Sequence, residues 1–549
     1  MATSSPTSHT APPHTAPQAA PQAAPQAAPQ AAPLGRVLMI QGTSSHAGKT
    51  TVVAALCRWF ARAGYRVAPY KAQNMSNNAA VTRHGEEVGR AQAMQAAAAR
   101  VDVTVDMNPV LLKPQSDRTS QIVVLGKPWL TADATDYYAR KQHLWPIVTA
   151  ALDRLRASHD LVIMEGAGSP AEINLAQYDI VNMRVARHAD APVLLVGDIE
   201  RGGVFAALYG THALLSDDER RLIKGFVINK FRGDPTLLDP GFDMLQARTG
   251  VPTIGVLPWF DLRDLPQEDA LEWAQPDRAR DAAAEAAPRA LDIVIARLPR
   301  VANLDEFQPL LLEPGVRVRF VGHAGEFGAP DLVIIPGTKS TMDDLHWLRE
   351  RGLADCVRRH AAAGGPVLGI CGGYQMLGHR IDDPAGVEGQ GSVEGLRLLP
   401  VTTEFAREKV TRRVRATATS AASLWQAPSV ALPAYEIHMG RTTALDHQVE
   451  LRPAFRVSAE APGSAEAPDG CCSADGLIVG TYLHGVLEHT ALRRALLTRT
   501  AERAGIALPP PASALSLDDA LDRLATVVGA NLDMEAVCAM LDLPPRATA

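Results

Sequence analysis

The chain has 549 residues, 46% of them hydrophobic and 21% charged, with a net charge of −6. That is too long for one ordinary core and has the make-up of a soluble globular protein of several domains. There is no basic block for a nucleic-acid partner, no run of about 18 apolar residues to cross a membrane, and none of the 6 cysteines forms a CxxC pair. This cysteine usage gives neither a zinc site nor a disulfide framework and fits a reducing cytoplasm.

Residues 1–34 are rich in Pro, Ala and Gln, and PQAA repeats four times from Pro17 to Ala32. Such a segment buries too little apolar area to offset its ordering entropy, so a disordered tail is expected. It lacks the basic start and apolar core of a signal peptide.

From residue 35 to 265 the texture is α/β. The apolar runs at 36–42, 160–166, 191–198 and 223–230 read as strands buried on both faces of a parallel sheet, and 89–100 reads as one of the intervening helices. After the first strand comes Gly42-Thr43-Ser-Ser-His-Ala-Gly48-Lys49-Thr50. A glycine-rich turn opening a helix aims backbone N–H groups at phosphate, with Lys49 for the β- and γ-phosphates and Thr50 for Mg²⁺. Five residues separate the two glycines, one more than in the standard phosphate loop.

Lys71-Ala-Gln73-Asn74-Met-Ser76-Asn77-Asn78 packs five amide or hydroxyl side chains into eight residues. The cluster either builds a loop network or reads a polar ligand, and contact with substrate is the favoured reading. Glu87 is a weaker candidate, in a segment that also reads as a solvated helix face. Glu165 ends a strand in Glu-Gly-Ala-Gly, in the crevice where α/β sheets bind ligands, and is a candidate for Mg²⁺. Asp198-Ile-Glu-Arg201-Gly-Gly follows another strand and suits a binding loop.

Residues 266–290 carry no strand signal and read as a linker. A second α/β domain is expected over 291–495, with strands in 291–298, 316–322, 330–337, 365–371 and 475–485. Its centre is Gly369-Ile-Cys371-Gly372-Gly373. Small residues on both sides of Cys371 allow a sharp strand-to-helix turn that exposes a nucleophilic sulfur, as in the nucleophile elbow. The N–H groups of Gly372 and Gly337 are candidate oxyanion donors. The base is expected to be a histidine distant in sequence. His484, just after a strand, is preferred over His438. Residues 496–549 read as a helical extension.

Taken in order, GTSSHAGKT, KAQNMSNN, NPVLLKP, EGAGSPAEIN, DIERGGVFA, GICGGYQMLG, YEIHMGR and GTYLHG resemble the glutamine-hydrolysing cobyric acid synthase family of cobalamin synthesis, over roughly residues 36–490. The resemblance implies a dethiobiotin-synthetase-like phosphate-loop domain followed by a class I glutaminase domain. It also implies ATP, Mg²⁺, glutamine and a corrinoid as cofactors and substrates. The implied reaction is amidation of the b, d, e and g carboxylates of adenosylcobyrinic acid a,c-diamide, with Cys371 and His484 as catalytic pair. Class I glutaminases usually carry H-x-E, but here the residues are His484-Gly-Val486. Glu436 and Glu488 are alternative orienters of the imidazole. A sister a,c-diamide synthase and a non-catalytic regulator with the same two domains remain as rival readings.

Overall fold

The computed structural model describes residues 34–544, apart from 262, 264, 267–288, 390, 426–430, 461–463 and 512–515. The tail up to Pro33 and nearly all of the linker therefore lie outside the described residues.

The first half is built on a fully parallel six-stranded sheet. Its order is Thr253–Pro258, Ile223–Phe231, Val193–Asp198, Arg36–Gly42, Leu161–Glu165 and Val67–Tyr70. Alternate residues of the central strand feed two cores: Val37 and Met39 on one face, Leu38 and Ile40 on the other. Burial on both faces is why these strands appear in the sequence as unbroken apolar runs. The helix expected at 89–100 forms as Arg90–Ala98. A separate sheet, Gln73–Met75, Val110–Pro114, Thr119–Val124 and Lys127–Asp133, flanks this half.

The second half has its own mostly parallel sheet: Val316–Val321, Leu291–Ala296, Leu332–Ile335, Val367–Ile370 and Ile478–Thr481, edged by antiparallel Cys471–Cys472. The single strand expected at 475–485 is broken. Ile478–Thr481 stays in this sheet, while Leu483–His484 joins another, pairing with Tyr435 and Glu436. The break is local: the Tyr482 N–H donates to Asp469 at 3.2 Å and the Leu483 N–H turns back to Thr481 Oγ1 at 3.1 Å. The second sheet is dominated by a long antiparallel pair, Val401–Ala418 with Leu432–Ala444.

The C-terminal segment does not stay with the second half. The helix Thr490–Ala504 packs there, and the boundary drawn at residue 495 falls inside it. The helices Leu517–Asn531 and Met534–Met540 return to the first half, where Leu521, Leu524 and Val528 join Val52, Leu56 and Phe60 in one core. Ser516 and Asp519 form a capping box at the start of the first of these helices. Arg58, with no exposed surface, pairs with Asp518 and Asp522 across the contact. No described helix is long and apolar enough to cross a membrane.

This docking gives a direct expectation. Leu521 is fully buried, so Leu521→Ala is expected to cost about 2–5 kcal/mol. Chemical denaturation followed by a probe in the first half measures it, and an unchanged midpoint would mean that the returning helices add nothing to that core.

Candidate active sites

The phosphate-loop sequence lies at the carboxyl edge of the first sheet. Gly48 takes φ 97° directly before the helix Lys49–Arg62, and a Cβ there would fall 2.0 Å from Asn229 Nδ2. Only glycine satisfies both demands. Lys49 Nζ donates to the carbonyls of Ser44 at 2.8 Å and Gly168 at 3.0 Å. Thr50 Oγ1 donates to Glu165 Oε1 at 2.8 Å, as does Lys71 Nζ, while Gln95 Nε2 reaches Glu165 Oε2 at 2.5 Å. Burial pushes the Glu165 carboxyl up, but Lys71 and the hydrogen bonds from Gln95 and Thr50 outweigh it and hold the group below the ordinary carboxylate range.

Gly48, Lys49, Thr50, Lys71, Gln73, Asn74 and Glu165 line one cavity of about 1050 Å³. The expected Gly42 and Thr43 are not among its lining residues: a Cβ on Gly42 would stand 3.1 Å from Lys49 Nζ, and the Thr43 N–H is bonded to Val196 O at 2.9 Å. The polar segment 71–78 divides in two. Gln73 accepts from Tyr137 Oη at 2.5 Å and Asn74 donates to Gln92 at 3.2 Å, on the cavity side. Ser76 and Asn77 are not among the cavity's lining residues: the Ser76 N–H is tied to Leu112 O at 3.0 Å and its hydroxyl accepts from Asn78 N at 3.0 Å. Asn78 instead faces the second half, where Oδ1 accepts from Leu304 N at 3.2 Å.

Asp198 and Arg201 also stay out of the cavity lining. Asp198 is buried, accepting from Glu200 N and Lys230 Nζ, both at 2.9 Å, and Arg201 points to solvent. Glu87 is no solvated helix residue. It lies on the strand Glu87–Gly89, is 1% exposed, and binds Lys113 and Lys409. Burial pushes its carboxyl up, and the two ammonium groups overcome this and lower it to about 2.

In the second half, Cys371 sits between the strand Val367–Ile370 and the helix Gly372–Leu377 at φ 51°, a conformation costly for a residue with a Cβ and frequent at functional turns. Gly337 packs against both expected catalytic residues: a Cβ there would stand 3.0 Å from His484 Cε1 and 3.5 Å from Cys371 Cβ. Cys371 and His484 interact through their side chains. His438 lines the same cavity but is occupied. Its Nδ1 contacts Gly440 O at 2.8 Å, its ring stacks on Tyr482, and burial lowers it to about 4, so it is neutral.

The group that orients His484 is Glu306, on the short turn Leu304–Phe307. His484 Nδ1 lies 3.2 Å from Glu306 Oε1, and the Gly485 N–H donates to Oε2 at 3.3 Å. Neither Glu436 nor Glu488 does this: Glu436 pairs with Arg412 and Glu488 with Arg90. Glu306 carried no local signal, standing 178 residues before the histidine in a stretch without a motif. Its turn is held by the first half. Asn303 Oδ1 accepts from Ala79 N at 2.8 Å, Asn78 accepts from Leu304 N, and Arg90 Nε donates to Asp305 at 2.7 Å.

Residues 38–271 match the family model described as CobQ/CobB/MinD/ParA nucleotide binding domain, and residues 292–492 match the CobB/CobQ-like glutamine amidotransferase domain. A cobyric acid synthase of Sorangium cellulosum is 51% identical over 90% of this chain and 96% of its own length. The chain belongs to the cobyric acid synthase family. Further cobyric acid synthases, of Herpetosiphon aurantiacus and Chloroflexus aurantiacus, are each 48% identical over 91% and 90% of this chain and 97% of their own lengths. As a cobyric acid synthase family member, the chain is a glutamine-dependent amidoligase with a nucleotide-binding domain.

The Glu306–His484 pair sets a pH dependence. Burial lowers the imidazole, but the Glu306 charge and the hydrogen bonds with Cys371 and Glu306 overcome it and raise it to about 10. The fold therefore favours the imidazolium. Its contribution to stability is complete below about pH 6.5 and is lost as pH rises through about 10. In Glu306→Gln, burial acts without the opposing charge, and the His484 ring is expected to titrate near or below 6.5 in an NMR titration. A ring still titrating near 10 would contradict the pairing.

Proposed function

We propose that the chain amidates the b, d, e and g side-chain carboxylates of adenosylcobyrinic acid a,c-diamide, using ATP and ammonia drawn from glutamine. One observation carries this reading. A Cys371–His484–Glu306 line and a Lys49–Thr50–Glu165 cluster occur together in one chain that matches curated cobyric acid synthases over nine-tenths of its length.

At the glutaminase site, His484 holds the Cys371 thiol proton as an imidazolium beside Glu306, and Cys371 Sγ attacks the amide carbon of glutamine as the thiolate. Glu306 keeps the imidazole turned towards the sulfur and balances its charge, as an acidic residue does in other triads. The N–H groups of Gly372 and Gly337 are the candidate donors to the oxyanion. His484 returns the proton to the departing nitrogen, ammonia leaves, and water hydrolyses the thioester to glutamate.

At the synthase site, Lys49 is the cation for the β- and γ-phosphates of ATP. The Thr50 hydroxyl and Glu165 carboxylate are hard oxygen donors side by side, which suits Mg²⁺, an ion commonly held by one or two carboxylates together with substrate phosphates. When bound there, Mg²⁺ supplies charge neutralisation on those phosphates. Lys71, Gln73 and Asn74, on the wall of the same cavity, are the groups we assign to the substrate carboxylate. The γ-phosphoryl passes to that carboxylate, giving ADP and an acyl phosphate. Ammonia then displaces phosphate to form the amide.

Cys371→Ala is expected to abolish glutamine-supported amidation and to leave synthesis from added ammonium salt. Mass spectrometry of the corrinoid after incubation with ATP, Mg²⁺ and either nitrogen source reads both results, with four amide groups gained in the wild type. Glutamine-supported product from Cys371→Ala would refute the choice of nucleophile, and no gain on the a,c-diamide with two amide groups gained on the unamidated corrinoid would point to the sister diamide synthase.

A further inference from the structure

The contact between the halves buries charges that neither half-reaction above uses. Glu87 is 1% exposed, and each of its oxygens meets a lysine. Oε1 pairs with Lys113 of the strand Val110–Pro114, in the first half, and Oε2 pairs with Lys409 of the long strand Val401–Ala418, in the second. Both lysines line the cavity that contains Cys371 and His484, and so do Lys339 and Glu388. Lys339 follows Gly337 and Thr338 on the turn beside the nucleophile, and its ammonium has no ion-pair partner among the described residues.

Three ammonium groups on the cavity wall thus have two carboxylates beside them, Glu388 on the same wall and Glu87 behind Lys113 and Lys409. A surplus buried cation is costly unless an anion joins it. Burial lowers the Lys409 ammonium to about 8, with Glu87 opposing and the neighbouring Lys113 and Lys339 adding to it, and burial lowers Lys339 as well against the pull of Glu388. Glutamine brings the missing charge. Its α-carboxylate stands only a few bonds from the amide carbon that Cys371 Sγ attacks.

We propose that Lys113, with Lys339 and Lys409, binds the α-carboxylate of glutamine, so that the synthase half completes the glutaminase pocket. Lys113 is the trans-domain member. Its strand pairs in register with Gln73–Met75, Leu111 beside Asn74 and Leu112 beside Met75, and Asn74 and Met75 line the nucleotide cavity. One two-strand ribbon therefore carries a wall of each site.

The test compares glutamine with its α-carboxamide, which keeps the scissile amide and lacks the α-carboxylate. Wild type is expected to prefer glutamine by about 10²-fold in kcat/KM, the scale of charge-assisted hydrogen bonds. Lys113→Met is expected to cut that preference about tenfold, mainly through KM, and Lys113→Arg to restore most of it. A purely structural role for Lys113 predicts equal loss on both substrates and an unchanged preference, which would overturn the inference; so would a wild type that does not discriminate. Lys339→Met leaves the Glu87 pairs intact and gives the same readout if Lys113→Met does not fold. The inference rests on Cys371 being the nucleophile. Failure of that assignment is seen separately, as glutamine turnover that survives Cys371→Ala, and it would overturn the inference too.

Discussion

The pairing of Glu306 with His484 is the interaction on which the arrangement of the protein turns. Both groups are almost wholly buried, at 0% and 2% exposure, so the carboxylate has no water to share its charge and the imidazole is its main compensation. The pair persists only while the turn Leu304–Phe307 stays where it is. That turn is fixed from outside its own domain, by Asn78, Ala79 and Arg90. The geometry of the Glu306–His484 pair is thereby a property of the docked halves and not of the glutaminase fold alone.

The same logic explains how the chain is threaded. The long strand Val401–Ala418 reaches into the first half, where Arg413 Nε donates to Val81 O at 2.6 Å and Lys409 meets Glu87. Ala79, Val81, Leu111 and Val123 of one half pack with Tyr435 and Ile437 of the other in a small apolar cluster. Tyr435 also stacks on the His484 ring at 5.4 Å between centroids, so this cluster abuts the imidazole that Glu306 orients. The last two helices then return to the first core. Two domains that read as consecutive in sequence are fastened to each other at the active-site face and, through the C-terminal segment, once more behind it.

Much of this was legible in the residues. Strands buried on both faces produce apolar runs that need no partner to be recognised, and Gly48 and Cys371 occupy turns whose glycine context marks them locally. The parts that escaped depend on distant partners. Glu306 is an ordinary acidic residue until the fold brings it to His484. Glu87 has the look of a solvated carboxylate until two lysines, one from each half, enclose it. Asn78 shares a polar cluster with Gln73 and Asn74, yet it faces the opposite way because the strand Gln73–Met75 ends before it. The strand Val401–Ala418 is rich in charge, since its outer positions meet solvent or the other half, and it lacks the apolar run of a two-sided strand.

Contacts from the synthase half hold the Glu306–His484 line of the glutaminase half. Arg90 is absent from the lining of the Cys371 cavity but binds Asp305, next to Glu306. The most direct measurement is kcat for glutamine hydrolysis by Arg90→Met. Leaving Asp305 as an uncompensated buried carboxylate should shift the turn and lower kcat by about tenfold or more. A kcat equal to that of the wild type, in a folded variant, would contradict the account.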